Sequence, residues 1–484
     1  MSKNRVPHRN TAGPALMAVL GAALVLSACK TFSPDGGMDL VAGIAATELR
    51  KDVAVIRHPD EAMVVRERVE DLLRRPLSAD AAVQVALLNN RGLQAAYNAL
   101  GFAEAEMVEA SLPPSPAVSL ERLANPFEIE IERRIVGNIL ALLTLPARAT
   151  IAADRFLQAQ LRAAEETIRV AAETRRTYYR AVASREVVGF LSQAKNAAQT
   201  ASQLAKRLGE TGAMNKLDQA REHVFYAEIT AQGATARQRA ASEREKLTRA
   251  MGLWGDDVSF KLPGNLPPLP RRPQAMPDIE IAAIERRIDV QIARMEVDAL
   301  AKSYGLTQAS RFVNLLELAG IKKTVKDRQT GEKEHARGFE VELQVPIFDF
   351  GEVRVRKAEQ AYMQGVNQLA EKAVNARSEA REAYRAYRSS YDIAAHYRRE
   401  VLPLRKIISD ETQLRYSAMQ IDVFALLAEA RQRTNATMQA IEAQREFWLA
   451  SVDLGVAVIG GGAVGSGGEV SRAAITASGG EGGH

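Results

Sequence analysis

The residues in this chain best suited to chemistry are a glycine-rich run and six histidines. The run at 460–465 follows an apolar stretch and fits the G-x-G-x-x-G pattern of dinucleotide-binding loops. Too little sequence follows it to build a βαβ unit, so a flexible tail is the simpler interpretation. The histidines show no metal-ligand spacing: His8, His58, His223, His335, His396 and His484. The sequence therefore predicts no catalytic site, no cofactor and no metal centre.

Cys29 is the only cysteine of the chain. It follows a basic start and an apolar run at 15–26 that is too short to span a bilayer comfortably, as in a secretory signal peptide. With the preceding Leu-Ser-Ala it resembles the bacterial lipobox, in which the cysteine is acylated. Lys30 follows, instead of the aspartate that retains many lipoproteins at the inner membrane. We expect a lipid anchor at Cys29 in the outer membrane, the alternative being an uncleaved signal anchor.

The composition is typical of long helices or coiled coils. Hydrophobic residues make up 46% of the 484 residues, aromatic residues make up only 5%, and alanine, glutamate, arginine and glutamine dominate the middle of the chain. The net charge of +5 includes no compact basic patch with interleaved aromatic side chains. Nucleic acid is therefore not an expected partner.

The chain divides into two similar halves, in which the segment 143–146 (LTLP) aligns with 343–346 (LQVP). Two units of this size indicate a duplication, not a solenoid. The expected segments are a lipoprotein signal peptide at 1–28, a lipid-anchored arm at 29–76, repeat 1 at 77–263, a proline-rich linker at 264–274, repeat 2 at 275–458 and a glycine-rich disordered tail at 459–484.

Each half is expected to contain a helix, two short strands and a long helical tract, bounded by prolines and glycines. The first half should contain a helix from Ser78 to Leu112, strands from Ala117 to Glu121 and Ile139 to Leu145, and helices from Ala149 to Leu208 and Asn215 to Met251. The second half should contain a helix from Asp278 to Gln308, strands from Phe312 to Leu318 and Phe339 to Phe348 with a charged loop from Gly320 to Gly338 between them, and helices from Glu352 to Ala418 and onward to Leu454.

The last of these strands has two chemically different faces, because successive strand side chains point to opposite sides. Alternating apolar and polar residues over about ten positions suit a membrane β-barrel strand. We expect a lipid-facing set of Phe339, Val341, Leu343 and Val345, and a lumen-facing set of Asn314, Glu340, Glu342 and Gln344.

Four strands per chain cannot close a barrel alone. Bacterial barrels begin at about eight strands, and an open edge in lipid leaves backbone groups unpaired. The chain must therefore oligomerise if these strands lie in a membrane. Strand arithmetic allows a dimer, a trimer or a larger ring.

The helical tract after Glu352 repeats apolar residues at alternating steps of three and four. The repeat comprises Val366, Leu369, Ala373, Ala376, Ala380, Ala383 and Tyr387, then Ala394, Tyr397, Val401, Leu404 and Ile408. A seven-residue repeat predicts left-handed supercoiling against a partner helix. Pro403 should bend the tract locally, because proline lacks a backbone donor.

Three short motifs add to this layout. They are Leu-Ser-x-Asp-Ala-Ala at 77–82 with Asn-Asn at 89–90, Val-Pro-Ile-Phe-Asp-Phe-Gly at 345–351, and Arg-Tyr-Ser at 415–417. With the duplication and the lipobox, they resemble the TolC-like outer-membrane efflux proteins over nearly all of the mature length. The resemblance implies a mainly α fold with a small β part. Long antiparallel coiled-coil helices would form an α-helical barrel, and four membrane β-strands per chain would contribute to a trimeric 12-strand β-barrel.

The resemblance also implies partners and site residues. The homotrimer would be a passive duct, joined through a periplasmic adaptor protein to an inner-membrane pump. Family members use the periplasmic tips of their helical hairpins for adaptor docking and for the gate. Here the tips carry Arg207, Leu208, Gly212, Arg415, Tyr416 and Asp422, and Tyr416 matches a gate residue by motif position. Ala418-Met419 stands where family members commonly have glycine.

One structural alternative is a coiled-coil envelope lipoprotein without transport activity. A scaffold has no reason to alternate apolar and acidic residues from Phe339 to Leu343, which favours the duct. An enzyme is not expected, because the sequence contains no G-x-S-x-G motif, no Walker loop and no identifiable catalytic carboxylate pair. Efflux and type I secretion both stay open, as does the substrate, whether drug, metal or peptide.

Overall fold

A computed structural model describes residues 32–460, which are mostly helical and contain one four-stranded antiparallel sheet. These residues form two compact units. The first comprises 32–39, Asn98–Gln160 and Ile292–Leu369 and holds the sheet, and the second comprises Leu40–Tyr97, Leu161–Gln291 and 370–460 and is helical. The predicted signal peptide, Cys29 and all but the start of the glycine-rich tail lie outside the described residues.

The helices are α1 (Met38–Ile44), α2 (Pro59–Leu73), α3 (Ala79–Asn89), α4 (Arg91–Ser111), α5 (Ile139–Glu210), α6 (Lys216–Met251), α7 (Ile279–Arg286), α8 (Ile288–Ala309), α9 (Glu352–His396), α10 (Leu402–Ser417) and α11 (Val423–Ile459). Short π-helical turns occur at Ala45–Leu49 and Tyr397–Val401, and a 3-10 turn occurs at Gly255–Ser259. Among the helices within residues 32–460, none combines the length and the apolar character needed to cross a membrane.

Polar caps begin the helices at Ser78 and Asn215, where the sequence predicted their starts. The Ser78 hydroxyl accepts a hydrogen bond from the amide of Ala81 at 3.1 Å. Asn215 caps α6 and Asp422 caps α11 in the same way, at 2.9 and 3.0 Å. Each side chain satisfies an amide that has no partner within its own helix.

The sheet contains β1 (Ala117–Ala124), β2 (Glu128–Asn138), β3 (Leu315–Asp327) and β4 (Lys333–Gln344), in that order and all antiparallel. Tight turns join β1 to β2 and β3 to β4. The Asn125 side chain accepts from the amide of Glu128 at 2.8 Å, and the Asp327 carboxylate accepts from the amide of Thr330 at 2.9 Å. Such side-chain bonds to the backbone favour turns.

The predicted strand from Ile139 to Leu145 is wrong, because these residues open α5. The strand lies earlier, in β2, where Glu and Ile alternate at 128–131. The Asn138 side chain accepts a hydrogen bond from the amide of Ala141 at 2.8 Å and so caps the helix that follows. Pro146 lies inside α5, where its missing amide removes one helical hydrogen bond without ending the helix.

The predicted loop from Gly320 to Gly338 is also wrong over most of its length. Strands β3 and β4 run through it and leave only 328–332 as the connection. Accordingly, the strand predicted from Phe312 begins at Leu315, and the one predicted to end at Phe348 ends at Gln344. Charged residues fit here because a strand with solvent-exposed faces does not need apolar side chains.

The long tract after β4 is interrupted close to Pro403. Helix α9 ends at His396, a π-helical turn follows, and α10 begins at Leu402 with Pro403 in its first turn. The π-helical turn accommodates the proline: the Leu402 amide donates to the Tyr397 carbonyl five residues back, and Pro403 itself has no amide that needs a partner.

Residues 32–460 cover the heptad over only part of its length. Ala380, Tyr387 and Ala394 of α9 are buried in a cluster with Phe447 of α11. On α10, by contrast, Leu404 and Ile408 are 56% and 44% exposed. The α10 part of the repeat therefore faces away from the chain's own core.

Candidate functional site: a two-faced sheet and two helical tips

The register of the sheet assigns each strand residue to one of two faces. Residues directly opposite each other in adjacent strands share a face, and successive residues alternate. Glu340 lies opposite Ala319, and Ala319 lies opposite Val136. We name the side that contains Glu340 the acidic face, and the side that contains Phe339 the opposite face.

All carboxylates of the four strands lie on the acidic face. They are Glu121, Glu128, Glu130, Glu132, Glu317, Asp327, Glu334, Glu340 and Glu342. Two basic strand residues share this face, and both are paired: Arg134 lies 3.1 Å from Glu340, and Lys323 pairs with Glu130. An excess of carboxylates suits contact with water and cations, not with lipid.

The opposite face carries large exposed apolar side chains in the half of the sheet next to the helices. They are Val118, Leu120, Ile135, Leu318, Phe339, Val341 and Leu343, of which Phe339 is 80% exposed. Towards the hairpin turns the same face carries Arg122, Arg133, Lys322, Lys326, Lys333 and Arg337. A contiguous exposed apolar patch of this kind marks a surface that contacts lipid or another protein.

The predicted barrel residues divide between the faces and the strand ends. Glu340, Glu342 and Gln344 lie on the acidic face, and Phe339, Val341 and Leu343 lie on the opposite face. Asn314 and Val345 lie just beyond the strands. The Asn314 amide donates a 2.8 Å hydrogen bond to the carbonyl of Gln344, which extends the ladder by one bond.

The turn after β4 requires glycine. Phe350 and Gly351 have φ values of +50° and +74°, and a Cβ at Gly351 would overlap the carbonyl oxygen of Arg311. Phe312, Phe348 and Phe350 around this turn are exposed, Phe348 by 98%. Exposed aromatic side chains at the end of an apolar strand band are typical of a membrane interface.

The first helical tip is the turn between α5 and α6. Gly212 there has a φ of +77°, and the Leu208 carbonyl accepts from the amides of Ala213 and Met214 at 2.8 and 3.1 Å. Arg207 is exposed beside it.

The second tip is the turn between α10 and α11. Arg415 pairs with Glu411 at 2.9 Å, and Asp422 caps α11. Met419 has a φ of +56° and is 94% exposed. Tyr416 packs against a cluster that joins the two tips and contains Ala198, Phe225, Ile229, Val423 and Leu427.

Glu222 is a buried residue of α6 near the first tip, and nothing in its sequence context predicts its burial. Its Oε2 atom has no hydrogen-bond partner among residues 32–460, and burial raises the pKa of its carboxyl group. No group of three or more His, Cys, Asp or Glu side chains in the same described range could hold a metal ion.

Sequence reasoning also missed most of the charged residues of the sheet. Five of the acidic-face carboxylates and the arginines of β1 and β2 lie at 122–138 and 320–338, outside the strands that the sequence predicts. The strict Glu-Ile-Glu-Ile alternation at 128–131 was the signal that could have identified β2.

No established family profile matches the chain. Among curated proteins, the cobalt-zinc-cadmium resistance protein CzcC of Cupriavidus metallidurans is 25% identical over 288 residues. The alignment covers 57% of this chain and 64% of CzcC, so it spans less than two thirds of that relative.

Solved outer-membrane channels superpose on more of the chain. CusC, whose crystal structures concern transmembrane channel formation, gives a TM-score of 0.67 over 79% of this chain and 92% of its own, at 16% identity. The CmeC outer membrane channel of Campylobacter jejuni gives 0.67 over 87% and 92%, at 15% identity. The open-state MtrE outer membrane channel of Neisseria gonorrhoeae gives 0.64 over 78% and 88%, at 14% identity. This chain therefore has the fold of the TolC-like outer-membrane channels, which confirms the resemblance carried by its sequence motifs.

Proposed function

We propose that three copies of this chain form a passive outer-membrane duct that carries substrates outward from the periplasm. The observation that carries the proposal is the division of the sheet into an acidic face and a face with exposed apolar side chains. A membrane barrel needs this division, because one face meets water and the other meets lipid. A structural lipoprotein without a pore does not need it.

The free edges of the sheet support the oligomer. Among the described residues, 32–460, strands β1 and β4 each pair with a single neighbour. An unpaired edge is not tolerated in lipid, so β1 of one copy must pair with β4 of the next. Three copies give twelve strands, the number that the family resemblance implies.

The helices support the same assembly. Leu404, Ile407 and Leu414 form an exposed apolar stripe on α10, at the spacing of one helix face. A second copy that covers this stripe would continue the coiled coil started by α9 and α11. The order helix, strand, strand, helix occurs twice, and we infer two repeats at 77–263 and 275–458. We infer that the tips bearing Arg207, Leu208, Gly212, Arg415, Tyr416 and Asp422 meet a periplasmic adaptor that connects the duct to an inner-membrane pump.

The geometry near the sheet is compatible with a lipid anchor at Cys29. Ser33, four residues later, donates from its amide to Glu104 on α4 at 2.6 Å. Four extended residues reach at most about 14 Å. Since α4 precedes β1, with residues 112–116 between them, we infer that an acyl chain on Cys29 meets the membrane at the helix side of the sheet.

The acidic face favours cationic cargo. Glu317 and Glu342 lie directly opposite each other in the sheet, which concentrates negative charge on the proposed lumen wall. The curated relative CzcC is named for resistance to cobalt, zinc and cadmium. We infer that the duct prefers cations and that the pump determines which cation is exported.

The test is single-channel recording of the purified protein in planar bilayers. A duct gives stable conductance steps, and a structural lipoprotein gives none. Absence of steps from protein that is correctly oligomeric and folded would overturn the transport proposal.

A further inference from the structure

Three basic residues form a row across the opposite face of the sheet. Arg337 lies directly opposite Lys322, and Lys322 lies directly opposite Arg133. Adjacent strands are about 4.8 Å apart, so the three side chains start within about 10 Å of one another. Arg122, Lys326 and Lys333 continue the charge on the same face towards the hairpin turns. We name these six residues the basic belt.

Within residues 32–460 the row has no counter-charge. Every carboxylate of the strands lies on the acidic face, on the other side of the sheet. In the described part of the chain, no ion pair involves Arg133, Lys322 or Arg337, and all three side chains are exposed. Like charges directly opposite each other destabilise a sheet. An external anion would remove this cost.

The position of the belt along the strands specifies where that anion lies. On β4 the apolar residues Leu343, Val341 and Phe339 come first from the helix side, and Arg337 is the next residue on the same face. The belt therefore borders the apolar band on the side of the hairpin turns. If the proposed function is right, the helices are periplasmic, and the belt lies at the head groups of the outer leaflet.

We propose that the basic belt binds the phosphate groups of a phosphorylated glycolipid in the outer leaflet. Arginine presents a planar donor fork that matches phosphate, and lysine adds a point charge. A glycolipid with two phosphates offers charge that complements a row of three cations, while its acyl chains meet the apolar band below. A freely diffusing phosphate ion would satisfy the charge but not use that adjacent band.

The test uses full-length protein delipidated in mild detergent, with bound lipid counted by native mass spectrometry. The probes are lipid A with two phosphates and the same lipid without them. We expect the wild type to retain the first and release the second. If the wild type retained lipid A with and without phosphates equally, the proposal would be overturned. The same holds if inorganic phosphate at equal concentration displaced lipid A from the wild type.

A triple variant, Arg133→Gln with Lys322→Gln and Arg337→Gln, should bind diphosphorylated lipid A about a hundredfold more weakly. The matched control removes three exposed charges outside the sheet. It combines Arg66→Gln, Arg74→Gln and Lys406→Gln. The control should bind as the wild type does, and wild-type affinity in the belt variant would contradict the assignment.

Channel recording in phosphatidylcholine bilayers separates this inference from the proposed function on which it rests. If the wild type and the belt variant both form pores and only the variant loses lipid binding, the duct function and the lipid-binding proposal are both supported. If both proteins form pores and bind lipid equally, only the lipid-binding proposal is overturned. A wild type without pores overturns the proposed function, and with it the placement of the belt in the outer leaflet.

Discussion

Arg134 on β2 and Glu340 on β4 form a 3.1 Å ion pair across the strand that lies between them. The residue opposite Glu340 on that strand is Ala319, which is 2% exposed beneath the pair. A small side chain there leaves space for two long ones to meet. Both basic side chains on this face, Arg134 and Lys323, thus have carboxylate partners within the sheet. On the other face, Phe339 and Val341 project and are 80% and 56% exposed.

The two faces should respond differently to the same substitution. Val341→Lys puts a charge where lipid is expected, at a cost of about 2–4 kcal/mol per chain near the bilayer centre. Glu342→Lys, one residue on, faces Glu317 and the proposed lumen. We expect the first variant to be lost from the outer membrane and the second to assemble, as measured by membrane fractionation.

Far-UV circular dichroism is the control for that comparison, because both purified variants should keep their helical content. Equal assembly of Val341→Lys and Glu342→Lys would show that the faces do not meet different media. The assignment of the barrel would then be wrong.

Charge selectivity should follow the acidic face. In a KCl gradient, the reversal potential of the wild-type channel should indicate preference for K⁺ over Cl⁻. Glu317→Gln with Glu342→Gln should move it towards zero without loss of stability, since these like charges lie directly opposite each other. Glu67→Gln with Asp71→Asn, on exposed α2, should leave it unchanged. An anion-selective wild type would refute the lumen assignment.

The family resemblance predicted the fold class. The helix starts at Ser78 and Asn215 and the alternation of β4 were predicted from the residues themselves, because each depends on local chemistry. Sequence reasoning failed at β2 and β3. Their charged residues look like loops until a partner strand orders them, and pairing between residues distant in sequence is not visible in one strand. The strand predicted to end before Pro146 was also wrong. Pro146 lies inside α5, because tertiary context outweighed its local helix-breaking effect.

Met419 should be a site of local strain at the second tip. A non-glycine residue with a φ of +56° costs about 1–2 kcal/mol, and a side chain that is 94% exposed gains little by packing. Met419→Gly should therefore stabilise the turn by about 1 kcal/mol. Hydrogen exchange at the Gln420 amide, which donates to Arg415 at 2.9 Å, should slow about fivefold.

Met419→Ala is the control, because alanine keeps the positive φ penalty and should give no gain. Faster exchange in Met419→Gly than in the wild type would show that the turn is not strained.

Gly351 should tolerate no side chain. In Gly351→Ala the new Cβ would overlap the Arg311 carbonyl oxygen, in addition to the strain of a φ of +74°. Gly331 has a similar φ of +77° but open space around it, so Gly331→Ala should cost only about 1 kcal/mol. We expect Gly351→Ala to fail to assemble in the outer membrane and Gly331→Ala to assemble. The same yield of assembled protein from both would contradict the close approach at the turn.

Part of the candidate site could be predicted from the sequence and part could not. Phe339, Glu340, Val341 and Glu342 follow from alternation alone. The cluster around Tyr416 and the cross-sheet pair of Arg134 join residues that are far apart in the chain. Neither follows from spacing.

The central claim is that β1 of one copy pairs with β4 of the next until the sheet closes. The direct measurement is the mass of the purified protein in mild detergent, combined with disulfide cross-linking between cysteines introduced into β1 and β4. Cys29 is kept, because an acylated sulfur forms no disulfide. We predict three chains per particle and a cross-linked species that reaches the trimer. A monodisperse single chain, or cross-links confined to one chain, would contradict it.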